Sequence, residues 1–347
     1  MREWLWMQDI VWSVDFMNMR LSYLDCLRGI VMLMVVFCHT CGDFCLDCKV
    51  STWVGRIFGI VMLPGFFFVS GWFTHLTILG GAIWKRLTTM LLPTALMFLI
   101  YVFLFWGNIE KLGYCAFGEY KFGYWFTFAL FLMNVLHWGV SVCLKKVEKH
   151  KDMAMFVSMG FLAAVLIVLK TWDWNQNHAL LANWFSLRLI SMYFPFYLLG
   201  MLCRYKVEVF HHLMSNEYVM AALMLAFSVG LLHENGGFWF GMLMGVFGTL
   251  LLYRFCYFYQ GFFSENTLVG RQLSMIGRHT LPIYLMHYFF FLGLKLPMVG
   301  EWLDSPSLWF AKIIVALILT LLITYASMGM FKVVAISKPL AKILLGK

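Results

Sequence analysis

The chain has 347 residues, 62% of them hydrophobic and only 12% charged, with a formal net charge of +9. A soluble globular chain is about half apolar and a quarter charged, so that class is excluded. In a soluble protein the positive charge would suggest nucleic acid. Here the placement of the basic residues accounts for it, and no nucleic-acid partner is expected.

Residues 1–20 carry Arg2, Glu3, Asp9 and Asp15, which interrupt any signal-peptide apolar core. Trp4, Trp6 and Trp12 suit a segment lying on the membrane surface. Translation starting at Met17 or Met19 is the equal alternative. From residue 21 onward, apolar runs long enough to cross a bilayer recur to the end. Ten spans are predicted, at roughly 27–43, 54–73, 89–106, 124–144, 153–170, 185–203, 218–232, 238–258, 280–294 and 309–331. The expected fold is all-α, a polytopic membrane protein with about ten transmembrane helices in one bundle. It divides into an interfacial segment, 1–20, and a membrane domain, 21–347. The longest connection, 259–279, is too short for a soluble domain.

With the N-terminus in the cytoplasm, the cytoplasmic segments hold 18 of the 26 basic residues. The opposite loops hold only Lys49, Lys111, Lys121, Lys170 and Lys295. Positive-inside bias of this kind predicts that both termini are cytoplasmic.

Ionisable residues inside a span are functional candidates by default. The first span reads SYLDCLRGIVMLMVVFCHTCGD. At about 100° per residue, Asp25, Arg28, His39 and Asp43 share one narrow stripe. His39 then stands roughly 16 Å above Arg28, near mid-membrane. A neutral imidazole there can act as a base, and Asp43 can orient it. The competing readings are a histidine bonded to a neighbouring helix, and a helix-start ion pair for Asp25 and Arg28. Cys38, Cys41, Cys45 and Cys48 surround His39 in the spacing C-x2-C-x3-C-x2-C. A zinc site would require the helix to break around one ion, so no metal is expected. A Cys45–Cys48 or Cys41–Cys45 disulfide is more plausible in an oxidising compartment.

The stretch RLSYLDCLRGIVMLMVVFCH resembles the opening signature of the acyltransferase-3 family, with Asp25, Leu27-Arg28-Gly29 and His39 as its marked positions. Four later stretches are similar to family motifs in family order. They are LPGFFFVSGWF at 63–73, YWFTFALFLMN at 124–134, MYFPFYLLG at 192–200 and SMIGRHTLPIYLMH at 274–287. The resemblance implies a membrane O-acetyltransferase of the bacterial inner membrane. It would take acetyl-CoA from the cytoplasm and acetylate a hydroxyl of a cell-surface or lipid-linked glycan. It implies His39 as the base or transient acyl carrier, with Asp25 and Arg28 beside it, and Asp43 joins the catalytic candidates through its helical position four residues after His39. For CoA, cytoplasmic cations suit the phosphates. The candidates are Arg86, Arg271 and Arg278, with Ser70, Gly71, Tyr284 and His287 along the thioester path. After Lys85 and Arg86 the family tends to have a further basic residue, where this chain has Thr88 and Thr89. Arg56 and Arg188 are candidates for binding an anionic acceptor group, with snorkelling as the alternative. The expected partners are membrane lipid and the glycan acceptor, and a homo-oligomer is left open. The rival class is a proton-coupled transporter or exporter of a small anionic solute, using His39, Arg28 and His287.

Overall fold

A computed structural model describes residues 21–43, 49–106, 113, 116–171, 178–233, 236–293, 309–337 and 341. The interfacial segment 1–20, Cys45 and Cys48 lie outside the described residues, as does the Asp43 side chain. The described residues form helices and no strand. In chain order the first are α1 (Ser22–Cys38), α2 (Lys49–Trp72), α3 (Gly80–Arg86), α4 (Leu92–Trp106), α5 (Trp125–Cys143), α6 (Lys151–Thr171) and α7 (Ala179–Trp184). They continue with α8 (Leu187–Tyr205), α9 (Val207–Ser215), α10 (Glu217–Leu231), α11 (Gly237–Phe258), α12 (Leu268–Arg278), α13 (Thr280–Gly293) and α14 (Trp309–Ile336).

The all-α membrane fold stands. The expected ten crossings are a different matter. Seven described helices are long and apolar enough to cross a membrane, or eight if α9 and α10, bent by 76°, count as one span. The helices that fall outside are short or polar. The described part of α13 has 14 residues, and α8 carries Arg188 and Arg204.

Two apolar clusters meet on α2. Phe68 belongs to one, with much of α1, α11 and α13, and Phe67 belongs to the other, with α5, α6 and α8. Adjacent helical residues point about 100° apart, so α2 serves both clusters. The centre of the first cluster is α1. Its candidate span is 67% buried, against 39% or less for the others. A helix surrounded by protein can carry Asp25, Arg28 and His39 because neighbouring side chains, rather than lipid, receive them.

Small residues set the closest crossings. A methyl group on Gly71 would lie 1.9 Å from the Tyr197 carbonyl oxygen, and one on Gly200 would lie 1.9 Å from that of Phe68. The helices α2 and α8 therefore touch backbone to backbone, as small residues allow in membranes. Similarly, Gly29 of α1 fits against the Leu273 carbonyl, and Gly277 of α12 against that of Asp25. Thus α12, which lies in the 259–279 connection, is a packing partner of α1.

Candidate active site

His39 directly follows Cys38, the last α-helical residue of α1. The next turn, His39–Asp43, is a π-helix. The uniform α-helical stripe drawn from Asp25 to Asp43 therefore changes phase at His39. Wide turns of this kind recur at functional sites because they redirect side chains. The imidazole Nε2 of His39 is 3.1 Å from the Tyr288 hydroxyl. Its ring centre is 5.4 Å from that of His287.

The two residues of α13 differ in role. Nδ1 of His287 bonds the Ile283 carbonyl at 3.0 Å, and only a protonated nitrogen can donate to it. Neutral His287 therefore has its lone pair on Nε2, which is buried with no hydrogen-bond partner among the described residues. The Tyr288 ring sits 4.1 Å from that of His287, tilted by 39°, and 5.1 Å from that of His39.

Arg28 and His39 line one cavity of about 1200 Å³. It follows the length of the bundle. At one end it meets Arg28, Ser70 and Thr280, with Arg86 and Thr89 beside them. At the other it meets Tyr120, Lys170, Arg188 and Phe238. Between them the walls are largely aromatic, including Phe66, Tyr101, Trp125, Phe126, Tyr193 and Tyr284.

The first end is built by two polar systems. Arg28 donates to Thr280 Oγ1 at 3.1 Å and lies 3.9 Å from the Asp25 carboxylate. Asp25 does not line the cavity. It is buried and positions Arg28 from the preceding turn. Arg86 donates to Asn134 Oδ1. Asn134 also meets the Tyr197 hydroxyl at 3.2 Å, and Tyr197 meets His137 Nδ1 at 3.0 Å. His137 closes the chain on the Leu76 carbonyl at 2.9 Å. The π turn Leu87–Leu91 follows Arg86 and turns Thr89 and Met90 to the cavity.

At the second end, Arg188 pairs with Glu119 at 2.8 Å and donates to the Tyr120 hydroxyl at 2.9 Å. The segment bearing Glu119 and Tyr120 is fixed by Lys121, whose Nζ is 3.2 Å from each of Gly118 O, Asn183 O and Ser186 Oγ. Burial pushes the Lys121 ammonium down to about 8, with Glu119 opposing.

The sequence candidates separate. Arg28, His39, Ser70, Arg86, Arg188 and Tyr284 line the cavity. Gly71 faces the α8 backbone, and His287 is buried behind Tyr288. Arg278 pairs with Glu265 at 2.9 Å, and neither it nor exposed Arg271 lines the cavity. Arg56 donates to the His233 carbonyl beside a separate small hollow. The Tyr284 hydroxyl is committed, donating to the Gly123 carbonyl at 2.7 Å and accepting from Phe126 N–H. Its ring therefore serves as wall, and its proton is not turned to the cavity. Sequence reasoning missed Tyr288, Asn134 and Lys170. Tyr288 directly follows a candidate histidine, and Asn134 is a polar residue within a span. Both are signals that could have been followed.

Among the described residues no group of three or more His, Cys, Asp or Glu gathers as a metal site. No curated protein and no solved structure matches the chain significantly. A family model described as an acyltransferase domain matches residues 21–328. That match spans every helix that builds the cavity, and the chain belongs to the acyltransferase-3 family of membrane acyltransferases.

Proposed function

We propose that this membrane acyltransferase moves an acetyl group from cytoplasmic acetyl-CoA to a hydroxyl of a cell-surface or lipid-linked glycan, with His39 as the base. The observation that carries the reading is the position of the His39 imidazole, on a single cavity that runs between two cationic ends. At about 1200 Å³ the cavity exceeds the usual single-ligand range of about 300–1,000 Å³, which suits two substrates entering from opposite ends.

Lys85 and Arg86 end α3, the basic run 145–151 leads into α6, and Arg204 and Lys206 close α8, so the Arg28 and Arg86 end is assigned to the cytoplasm of a bacterial inner membrane. Arg28 and Arg86 can grip the phosphates of CoA as charged forks, with Ser70 and Thr89 beside them. Arg271 and Arg278 are not on this path. The aromatic walls exclude water, which strengthens polar interactions at the reacting atoms. The acceptor oxygen attacks the thioester carbonyl carbon, and its proton passes to His39 Nε2. The carbon–sulfur bond then breaks, and the proton leaves with CoA as its thiol. In the resting site the Tyr288 hydroxyl holds His39 through Nε2, and that hydrogen bond opens as Nε2 takes the proton, because the nitrogen has a single lone pair. In the relay version the acetyl group rests transiently on His39 before the acceptor takes it.

The test is thiol release from acetyl-CoA by purified protein with membrane-glycan extract, for wild type and His39→Ala. Release that is lost in the variant while acetyl-CoA still binds supports the reading. Equal release by both makes His39 structural. Absence of acetyl-CoA binding in wild type favours the solute-transporter class.

A further inference from the structure

The cavity end opposite Arg28 carries two cations that membrane anchoring does not account for. Lys170 is at the far end of α6, whose near end follows the basic run 145–151. Arg188 is in the first turn of α8, whose other end carries Arg204. Both therefore sit away from the basic-rich connections, where insertion bias does not place them. Both line the cavity.

Their surroundings differ. Arg188 is balanced by Glu119 at 2.8 Å. The contact recorded for Lys170 is the face of Phe238, with Nζ 3.3 Å from the ring centre. No carboxylate pairs with Lys170 among the described residues. Among the described residues, two cations line this mouth and the one carboxylate beside them, Glu119, pairs with Arg188, on apolar walls that focus the field. It is also preorganised. Ser186 Oγ donates to the Glu119 carbonyl at 2.9 Å, and Lys121 ties the same loop to Ser186, which caps α8.

We propose that this mouth is an anion subsite in which Lys170, seconded by Arg188, holds a carboxylate or phosphate of the acceptor, so that the preferred acceptor is an acidic sugar. This rests on the acyl-transfer reading only for the word acceptor, since the subsite itself is a binding claim. Lys170 supplies the charge that no carboxylate among the described residues pairs at contact distance. Arg188 already spends donors on Glu119 and Tyr120 and contributes mainly field. The rings of Tyr120 and Phe238 give apolar faces against which a sugar can lie.

The experiment is isothermal titration of the purified full-length protein in lipid nanodiscs with three probes: methyl β-D-glucoside, methyl β-D-glucuronide and glucose 6-phosphate. Wild type is expected to bind at least one charged probe about ten-fold or more tighter than the glucoside, with the advantage shrinking at high ionic strength. In Lys170→Met the charged-to-neutral ratio is expected to fall toward one, and in Lys170→Arg to recover. Preference for the glucuronide alone assigns a carboxylate, and preference for the phosphate alone assigns a phosphate. Absence of any charged-probe preference in wild type overturns the subsite whether or not the variants fold. A preference that Lys170→Met leaves intact overturns the role of Lys170. Thiol release with the same probes separates the two claims: charge-selective binding without release of CoA refutes acyl transfer and leaves the subsite standing.

Discussion

The Tyr288 hydroxyl lies 3.1 Å from Nε2 of His39, across 249 residues of sequence. It joins the π turn that follows α1 to the middle of α13. Removing the hydroxyl in Tyr288→Phe keeps the ring packing on His287 and frees the imidazole to turn. A hydrogen bond of this type contributes about 1 kcal/mol, so the expected loss is about five-fold in kcat with donor binding retained. An unchanged kcat in the thiol-release assay would show that Tyr288 does not position His39.

Gly123 controls the same hydroxyl from the other side. Its φ of +89° is in the left-handed region, and a methyl group on it would lie 2.1 Å from the Tyr288 oxygen. Gly123→Ala therefore combines backbone strain, about 1–3 kcal/mol, with displacement of Tyr288. A lower Tm and a larger activity loss than Tyr288→Phe are expected. Adding Tyr288→Ala should recover part of the Tm but none of the activity.

The α2–α8 crossing leaves no space at Gly71 or Gly200. Gly71→Val or Gly200→Val is expected to abolish a monodisperse peak in detergent size exclusion, since the neighbouring atoms are backbone and cannot yield. Exposed Gly59, with nothing within 4 Å, is the control. Gly59→Ala should be neutral or gain up to about 1 kcal/mol.

Asn134 holds Arg86 and is itself held by the Leu130 carbonyl at 2.6 Å. Bonds to charged groups contribute about 1.5–3 kcal/mol. Asn134→Ala is thus expected to raise the KM for acetyl-CoA about ten-fold or more while kcat changes little. A fall in kcat alone, with KM unmoved, would remove Arg86 from the donor path.

Lys121 gives a pH signature. Its ammonium is pushed from 10.5 down to about 8 by burial. Between those values the unfolded chain binds the extra proton and the folded chain does not, so stability rises with pH through this window. Below about 8 the penalty is present in full. Thermal melts should show wild type gaining Tm on Lys121→Met as pH goes from 8 toward 10. Parallel pH profiles would mean that Lys121 keeps its ordinary affinity for the proton.

Much of this protein is legible in the chain itself. Apolar runs and loop charge give a helical membrane bundle, because a bilayer accepts few other backbones. The motifs around Asp25, Arg28 and His39 give the family, and the same residues are the candidates for its site, because an ionisable group inside a span marks one by default. Helical spacing alone pairs Asp25 with Arg28, three residues apart. What folding alone decided is which distant side chains meet. Tyr288 reaches His39 because α1 and α13 pack together. Arg278 turns to Glu265, Gly71 to the α8 backbone and Arg56 to the His233 carbonyl, all away from the cavity. Lys170 and Arg188, on different helices, come to share one mouth. Periodicity fixes the face a residue occupies within its own helix. Helix crossings, set by glycines and π turns far apart in sequence, fix what that face meets.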